Sequence, residues 1–259
     1  MFVCFWLLIW QLAAAWTDNS IILTGPLETL RSFAAVSREP QFLLSVLRTL
    51  AGIAAGFFLA VLLALVLGLI AYRSPFFRQL LAPLLTLLKA IPVASFAILA
   101  IIWLRGSNRL SSFVSFVVVF PMVFQNTVSG FDAADGKLLE MASLFQLSAF
   151  KKLRFIYIPA LLPYLRTCFK TALGMAWRSG VAAELIGQPR GTIGSALYQA
   201  KIFLDTPAVF AWTIWIILLS RAFEALVMLL LELLERSLHE PGFQRKEESD
   251  GGHHHPGAE

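Results

Sequence analysis

The feature that most constrains this chain is a long apolar stretch over residues 43–71, in which Arg48, near its start, is the only charged residue. A helix needs about 20 consecutive apolar residues to cross a lipid bilayer, and the part of this stretch after Arg48 is long enough to do so. The chain as a whole is 58% hydrophobic and only 14% charged, whereas soluble domains average about 25% charged residues. We therefore expect an all-α membrane protein.

Five further apolar segments bring the prediction to about six transmembrane helices. They cover residues 1–16, 80–104, 110–128, 164–187 and 207–234. The first resembles the apolar core of a signal peptide, but it lacks the positively charged start of one, so we favour a helix that is retained. With this number of spans, 259 residues leave no room for a soluble domain of normal size. We expect a single transmembrane domain over residues 1–240.

The polar C-terminal segment, residues 241–259, is predicted to be a disordered cytoplasmic tail. It carries three consecutive histidines, His253, His254 and His255. Histidines can bind metal, but in this setting they are more typical of a disordered tail or of a tag remnant. No metal site is expected elsewhere, since Cys4 and Cys168 have no partners at metal-ligand spacing.

Six spans place both termini on the same side of the membrane. The basic residues on that side are Arg73, Arg78, Lys137, Lys151, Lys152, Arg154, Arg236, Arg245 and Lys246. Their excess over the other face is modest. Because cytoplasmic loops are enriched in lysine and arginine, it predicts that both termini are cytoplasmic.

The loop over residues 131–163 contains an amphipathic helix between two apolar segments. Its apolar stripe consists of Leu138, Met141, Ala142, Leu144 and Phe145. A basic cluster follows at Lys151, Lys152 and Arg154. One interpretation is a helix that docks on a partner protein. The other is a surface helix that these basic residues hold against anionic membrane lipid.

The fifth span holds Arg166, Lys170, Arg178 and Glu184, and the sixth holds Arg221 and Glu224 on one helix face. A charge at the bilayer centre costs about 2.5–3.5 kcal/mol on an insertion scale. Arg178 and Glu184 should therefore face the bundle or a wet cavity. They would either line a transport pathway with Arg221 and Glu224, where Arg178 would favour an anionic substrate, or pair structurally with each other through water or with Arg221 and Glu224. Pro92 in the third span is expected to kink or break its helix and is a further pathway candidate.

The cytoplasmic loop resembles the coupling motif of binding-protein-dependent ABC importer permeases, which reads Glu-Ala-Ala, three residues, Gly, and then a run ending in Ile-x-Leu-Pro. Glu140, Ala142, Ile156 and Pro159 stand at matching positions. The departures from the motif are Met141 for the second residue, Ile158 before the proline and Gln146 at the glycine. Glutamine resists the positive φ that glycine accepts, which leaves the turn after the helix open.

Three more stretches are similar to the nitrate, sulfonate, taurine and bicarbonate branch of these permeases. They are residues 89–94 (KAIPVA), 176–184 (AWRSGVAAE) and 210–213 (FAWT). The resemblance covers most of the chain after about residue 40. It implies a type I ABC importer-like permease fold, a bacterial inner-membrane location and a small anion or organic solute, such as a vitamin precursor, as substrate.

The resemblance also implies partners. The chain would form a homodimer, bind two cytoplasmic ABC ATPase subunits and receive substrate from an extracytoplasmic binding protein. The residues implied in coupling to the ATPase are Glu140, Met141, Ala142, Gln146, Leu147 and Pro159.

The sequence itself offers no nucleotide-binding loop. Gly136-Lys137 is the nearest approach to GxxxxGK[ST], but Phe131 stands at the first glycine position and Leu138 at the Ser/Thr position. We therefore expect no cofactor on this chain, with ATP bound by the partner. A nucleic-acid partner is not expected either, because basic and aromatic residues do not alternate on a polar face.

Two other classes of membrane protein are alternatives to a permease. A secondary transporter or channel would use the intramembrane charges for ion coupling and would work without ATP. An intramembrane enzyme would need a HExxH or GxSxG motif or paired carboxylates in the spans. The sequence has none of these, and its four histidines lie at or beyond residue 239.

Overall fold

The computed structural model of the chain describes residues 2–17, 19–104 and 109–239, and these residues form helices joined by short turns, with no strand among them. The helices are α1 (Phe2–Thr17), α2 (Pro26–Ser37), α3 (Phe42–Arg73), α4 (Pro75–Ala90), α5 (Val93–Leu104), α6 (Leu110–Asp132), α7 (Gly136–Leu144), α8 (Ala149–Lys152), α9 (Ile158–Gly187), α10 (Ile193–Ile202) and α11 (Thr206–His239), with a π-helical turn (Leu153–Tyr157) between α8 and α9. The predicted tail at 241–259, with His253–His255, lies outside the described residues. The expected all-α fold is confirmed.

Three helices, α3, α6 and α11, are each long and apolar enough to cross a membrane, and α4 with α5 forms a fourth candidate that is bent by 103°. α9 has 30 residues and is about 45 Å long at about 1.5 Å per residue, but four charged residues make it more polar than these. α1, with 16 residues, is short for a span. The count of about six transmembrane helices is therefore approximate.

The segment predicted as one third span, residues 80–104, is interrupted beside Pro92. α4 ends at Ala90, and Ile91 takes an extended conformation with φ −75° and ψ 128° before α5 begins. Proline lacks the N–H needed to continue a helix and disfavours helical backbone in the residue before it. The expectation that Pro92 kinks or breaks this helix is confirmed.

The centre of the bundle is α6, which packs most extensively against α3 and α9. Its buried Val119, Val123 and Phe124 join Phe57 of α3 and Trp177 of α9 in the main apolar cluster. Lipid tails are as apolar as these side chains, so hydrophobicity alone does not draw membrane helices together. Close van der Waals packing must do so instead.

Small residues on α3 allow that close packing, because Gly52 and Gly56 stand four residues apart on one face of the helix. A methyl group on Gly56 would overlap the backbone carbonyl of Ser112 in α6, and one on Gly52 would lie 2.5 Å from the hydroxyl of Ser111. The two backbones therefore touch at Gly56, where no larger residue fits without separating the helices.

A buried carboxylate, Glu184 of α9, connects α9 to α3 and α10. Its Oε2 accepts hydrogen bonds from Thr49 Oγ1 at 2.8 Å and from the Gly194 N–H at 3.3 Å. The Thr49 hydroxyl also accepts a bond from the Ile193 N–H at 3.0 Å. Since the first N–H groups of a helix have no partner within it, Glu184 and Thr49 together cap the start of α10.

α11 is attached to the rest of the bundle at separate points along its length. Trp215 stacks on Phe33 of α2 with ring centroids 4.5 Å apart, and its Nε1 donates to Ser37 Oγ at 3.2 Å. Further along, Arg166 of α9 pairs with Glu232 of α11 at 2.7 Å. Between these attachments, Phe223 of α11 packs on Trp177 of α9 with ring centroids 6.1 Å apart, and a cavity lies beside this contact.

Replacing Gly56 by alanine should destabilise the bundle, because the added methyl group overlaps the α6 backbone. Overpacking of this kind typically costs about 1–3 kcal/mol. Thermal unfolding of the detergent-purified protein should show a lower midpoint for Gly56→Ala. Gly136→Ala is the control, since nothing lies within 4 Å of the added group, and it should unfold no earlier than the wild type. Equal midpoints for the two variants would contradict the close α3–α6 contact.

Replacing Glu184 by leucine should also destabilise the protein, because it removes the acceptor for Thr49 and Gly194 at a fully buried position. Each buried polar group left unpaired costs about 1–3 kcal/mol. Limited proteolysis of the purified protein should show faster cleavage in the segment 188–205, and Glu184→Gln, which keeps an acceptor oxygen, should be milder. Glu232→Gln is the control, because exposed ion pairs contribute about 0–1 kcal/mol. Cleavage of Glu184→Leu at the wild-type rate would show that Glu184 does not hold α10.

Candidate functional site

The amphipathic helix predicted in the loop over residues 131–163 is α7. Asp135 caps it by accepting a hydrogen bond from the Lys137 N–H at 2.8 Å. On the predicted apolar stripe, Ala142 alone is buried, at 3% exposure, whereas Leu144 is 80% exposed and Phe145 75% exposed. Ala142 is therefore small where the helix packs closely, and the rest of the stripe is uncovered.

Glu140 and Met141 lie on the exposed part of α7. Met141 is 52% exposed, and the backbone carbonyl of Glu140 accepts a hydrogen bond from Ser143 Oγ at 2.6 Å. Both implied coupling residues are thus accessible to a partner.

The turn after α7 depends on Gln146, which takes the glycine position of the motif. Its φ is +49°. The Leu147 N–H reaches Ala142 O at 2.9 Å, and the Gln146 N–H reaches Ser143 O at 3.1 Å. This is the hydrogen-bond pattern of a Schellman motif, which usually places glycine at this position. A non-glycine residue there costs about 1–2 kcal/mol, yet the glutamine makes the turn that the sequence left open.

The chain then returns to the bundle without leaving helical geometry. Ser148 caps α8, which continues through the π-helical turn into α9. Ile156 is buried, whereas Pro159, at the second position of α9, is exposed. Because helical backbone precedes Pro159, its missing N–H interrupts the hydrogen bonding of a continuous helical path directly after the π-helical turn.

Both ends of the loop contact other parts of the bundle. The rings of Tyr72, Phe131 and Tyr157 lie 5.5 to 5.8 Å apart in a mutual cluster. Arg78 of α4 pairs with Asp132 at the end of α6 at 3.0 Å. The loop is therefore connected to α3, α4, α6 and α9 at its base.

A second site is the cavity of about 380 Å³ between α9 and α11. Its walls include Arg178 from α9 and Arg221 and Glu224 from α11. Arg221 pairs with Glu224 at 3.1 Å, and Arg178 Nε donates to the Gly174 carbonyl at 3.2 Å. Of the predicted pathway residues, the structure brings these three together.

The other two pathway candidates lie elsewhere. Glu184 is enclosed at the start of α10, and among the described residues it pairs with no arginine or lysine. Pro92 stands at the corner between α4 and α5. Arg221 pairs with Glu224 on its own helix, whereas neither Arg178 nor Glu184 forms an ion pair among the described residues.

Lys170 also lines this cavity, with Thr171 and Ser220, although it was not among the predicted site residues. The sequence contains the spacing that places Lys170 on the same helix face as Arg178. Lys170, Gly174 and Arg178 recur every fourth residue and so share one face of α9.

The cavity lies near the middle of its two helices. Arg221 is fifteen residues into α11, about 22 Å from its start, and Lys170 is twelve residues into α9, about 18 Å from its start. Three basic residues and one acidic residue line the walls. The arrangement suits a negatively charged occupant, and charged groups within a membrane generally face protein or water.

Comparison with known proteins identifies the family. Residues 43–240 match the model described as the binding-protein-dependent transport system inner membrane component. Among solved structures, a chain of the MetNI methionine ABC transporter is similar in fold, with a TM-score of 0.60 at 15% identity, covering 77% of this chain and 97% of that one.

Curated relatives agree with this match. The putative aliphatic sulfonates transport permease protein SsuC of Bacillus subtilis is 31% identical over 71% of this chain and 65% of its own length. The taurine transport system permease protein TauC of Escherichia coli is 26% identical over 88% of this chain and 82% of its own. A probable ABC transporter permease protein of Brucella melitensis is 27% identical over 78% and 80%. The chain therefore belongs to the binding-protein-dependent ABC transporter permeases, the inner-membrane components of import systems.

Proposed function

We propose that this chain forms the translocation pathway of an ATP-driven importer and takes its driving force from a separate cytoplasmic ATPase that binds α7. The observation that carries the proposal is the apolar stripe of α7, of which Leu144 is 80% exposed and Phe145 75% exposed. An apolar stripe on a helix that lies between two spans, outside the apolar segments, calls for a protein partner.

The way α7 is built supports a mechanical role. Capping by Asp135 at one end and the turn at Gln146 at the other hold it as a short rigid unit. From Ala149 onward the helical path continues into α9, one wall of the cavity. Movement of α7 on an ATPase surface would therefore be transmitted to α9 directly and to α3 and α4 through the Tyr72 cluster and the Arg78–Asp132 pair.

The proposed assembly contains two copies of this chain, two ATPase subunits that bind ATP, and an extracytoplasmic substrate-binding protein. It lies in the lipid of the bacterial inner membrane, with both termini of the chain in the cytoplasm. This arrangement is supported by the family and by the charge of the loops. The chain itself performs no ATP chemistry in this proposal.

The substrate that we propose is a small organic or inorganic anion. Relatives of this chain are named for aliphatic sulfonates, taurine and bicarbonate. Another is named for riboflavin, so the class includes larger organic solutes. The basic residues in the cavity between α9 and α11 favour the anionic members.

Leu144→Asp should reduce recovery of the ATPase on copurification at least tenfold, because it places a charge in the apolar centre of the proposed interface. Loss of such a contact residue typically costs about 2 kcal/mol or more of binding free energy. The permease itself should unfold at the wild-type temperature, since Leu144 makes little contact with the bundle. Quantitative copurification from native membranes and ATP-driven uptake into proteoliposomes are the measurements.

Lys151→Gln is the matched control. It changes an exposed residue of the same loop outside the stripe, so ATPase recovery should be preserved. If α7 instead rests on anionic lipid, Leu144→Asp would leave ATPase recovery unchanged. Uptake that continues in proteoliposomes without ATP would indicate a secondary transporter or channel and would contradict the proposal.

A further inference from the structure

We propose that the cavity between α9 and α11 is a low-affinity anion-binding site on the translocation path, with Lys170 and Arg178 as anion contacts and Glu224 as the residue that keeps the affinity low. The inference rests on the proposed import function, because it deepens the role of a cavity on that path. Its ligand class is a small sulfonate or carboxylate-type anion.

The size of the cavity is consistent with that class. Its volume of about 380 Å³ lies near the lower end of the roughly 300–1,000 Å³ typical of small-molecule sites. Hydroxyl groups of Thr171 and Ser220 accompany the charged residues in its walls. Sulfonate and carboxylate oxygens accept hydrogen bonds from hydroxyl groups and from basic side chains.

Two of the basic side chains are available to a ligand. Within the described part of the chain, neither Lys170 nor Arg178 has a carboxylate within ion-pair distance. Arg178 uses Nε to bind the carbonyl of Gly174 at 3.2 Å. This bond holds the guanidinium at the cavity wall and leaves its terminal nitrogens to donate.

Trp177 also belongs to the wall, but its indole Nε1 is itself buried and has no hydrogen-bond partner among the described residues. The ring packs on Phe223 of α11 with centroids 6.1 Å apart. Trp177 therefore serves as a fluorescent reporter in the wall and not as an anion contact.

The third basic residue, Arg221, forms an ion pair with an acidic residue. Arg221 pairs with Glu224 one helical turn away at 3.1 Å, and the Arg221 side chain is 77% exposed. An anion must therefore compete with Glu224 for Arg221. A transport pathway requires binding that is strong enough for entry and weak enough for release. Competition from Glu224 keeps the affinity for the anion low.

Binding should be measured on the full chain in lipid nanodiscs, with ethanesulfonate and bicarbonate as the probes and tryptophan fluorescence as the readout, since Trp177 lies in the wall. We expect Arg178→Gln to weaken ethanesulfonate binding about tenfold, because one of two free positive charges is lost. Arg178→Lys should recover most of the affinity. Glu224→Gln should tighten binding several-fold, because Arg221 is released.

Uptake by the reconstituted transporter gives a second readout, because a residue with a purely structural role would not lower KM and kcat together. Glu224→Gln should lower KM and also lower kcat, because release slows. Arg31→Gln, which changes an exposed arginine on α2 outside the cavity, should affect neither binding nor uptake. The comparison is restricted to variants whose thermal stability equals that of the wild type.

Unchanged ethanesulfonate affinity in Arg178→Gln would overturn the proposal, as would weaker binding in Glu224→Gln. The cavity could instead be covered by the second copy of the chain. The variants would then lower the dimer content on size-exclusion chromatography without altering anion binding, and this result would also overturn the proposal. Binding is measured without ATP or ATPase, so failure of the import proposal would show in uptake alone. Failure of the anion site would show in binding.

Discussion

The fold depends on the absence of water in the hydrocarbon layer, which makes a charged or polar side chain costly unless it is bonded inside the protein or faces a wet cavity. α9 meets this requirement in two ways. At one end, Glu184 is enclosed and bonded to Thr49 and to the start of α10, so it acts as a cap. Near the middle, Lys170 and Arg178 face a cavity shared with α11. One helix therefore carries both a structural polar site and a candidate transport site.

Close packing of α6 on α3 and α9 makes this possible. Because Gly56 brings the α3 backbone against α6, the three helices form a rigid centre. α11 contacts α9 less extensively than α6 does, through the Arg166–Glu232 pair and through Phe223, Val227 and Leu231 in the main apolar cluster. A rigid centre beside a less tightly packed wall is suited to a pathway that must change shape, since tightly packed cores do not deform continuously.

The loop around α7 shows how a departure from a motif can leave its geometry intact. Glycine is the usual residue at position 146 because its backbone accepts a positive φ without steric cost. Gln146 adopts the same conformation, and the two hydrogen bonds that close the turn offset the cost. In this chain, the turn after α7 therefore forms without glycine.

The sequence by itself determined the all-α membrane fold, the break at Pro92, the close packing at Gly52 and Gly56, and the amphipathic character of α7. All of these follow from local composition, spacing or the covalent geometry of proline. Only the tertiary structure decided which charged residues meet. Glu184 and Arg178 share one helix, yet Glu184 is bonded to Thr49 and Gly194, whereas Arg178 faces Arg221 and Glu224 across a cavity. Such neighbours depend on which face of α9 meets α3 and α11, and helix–helix contacts are formed by residues far apart in the chain.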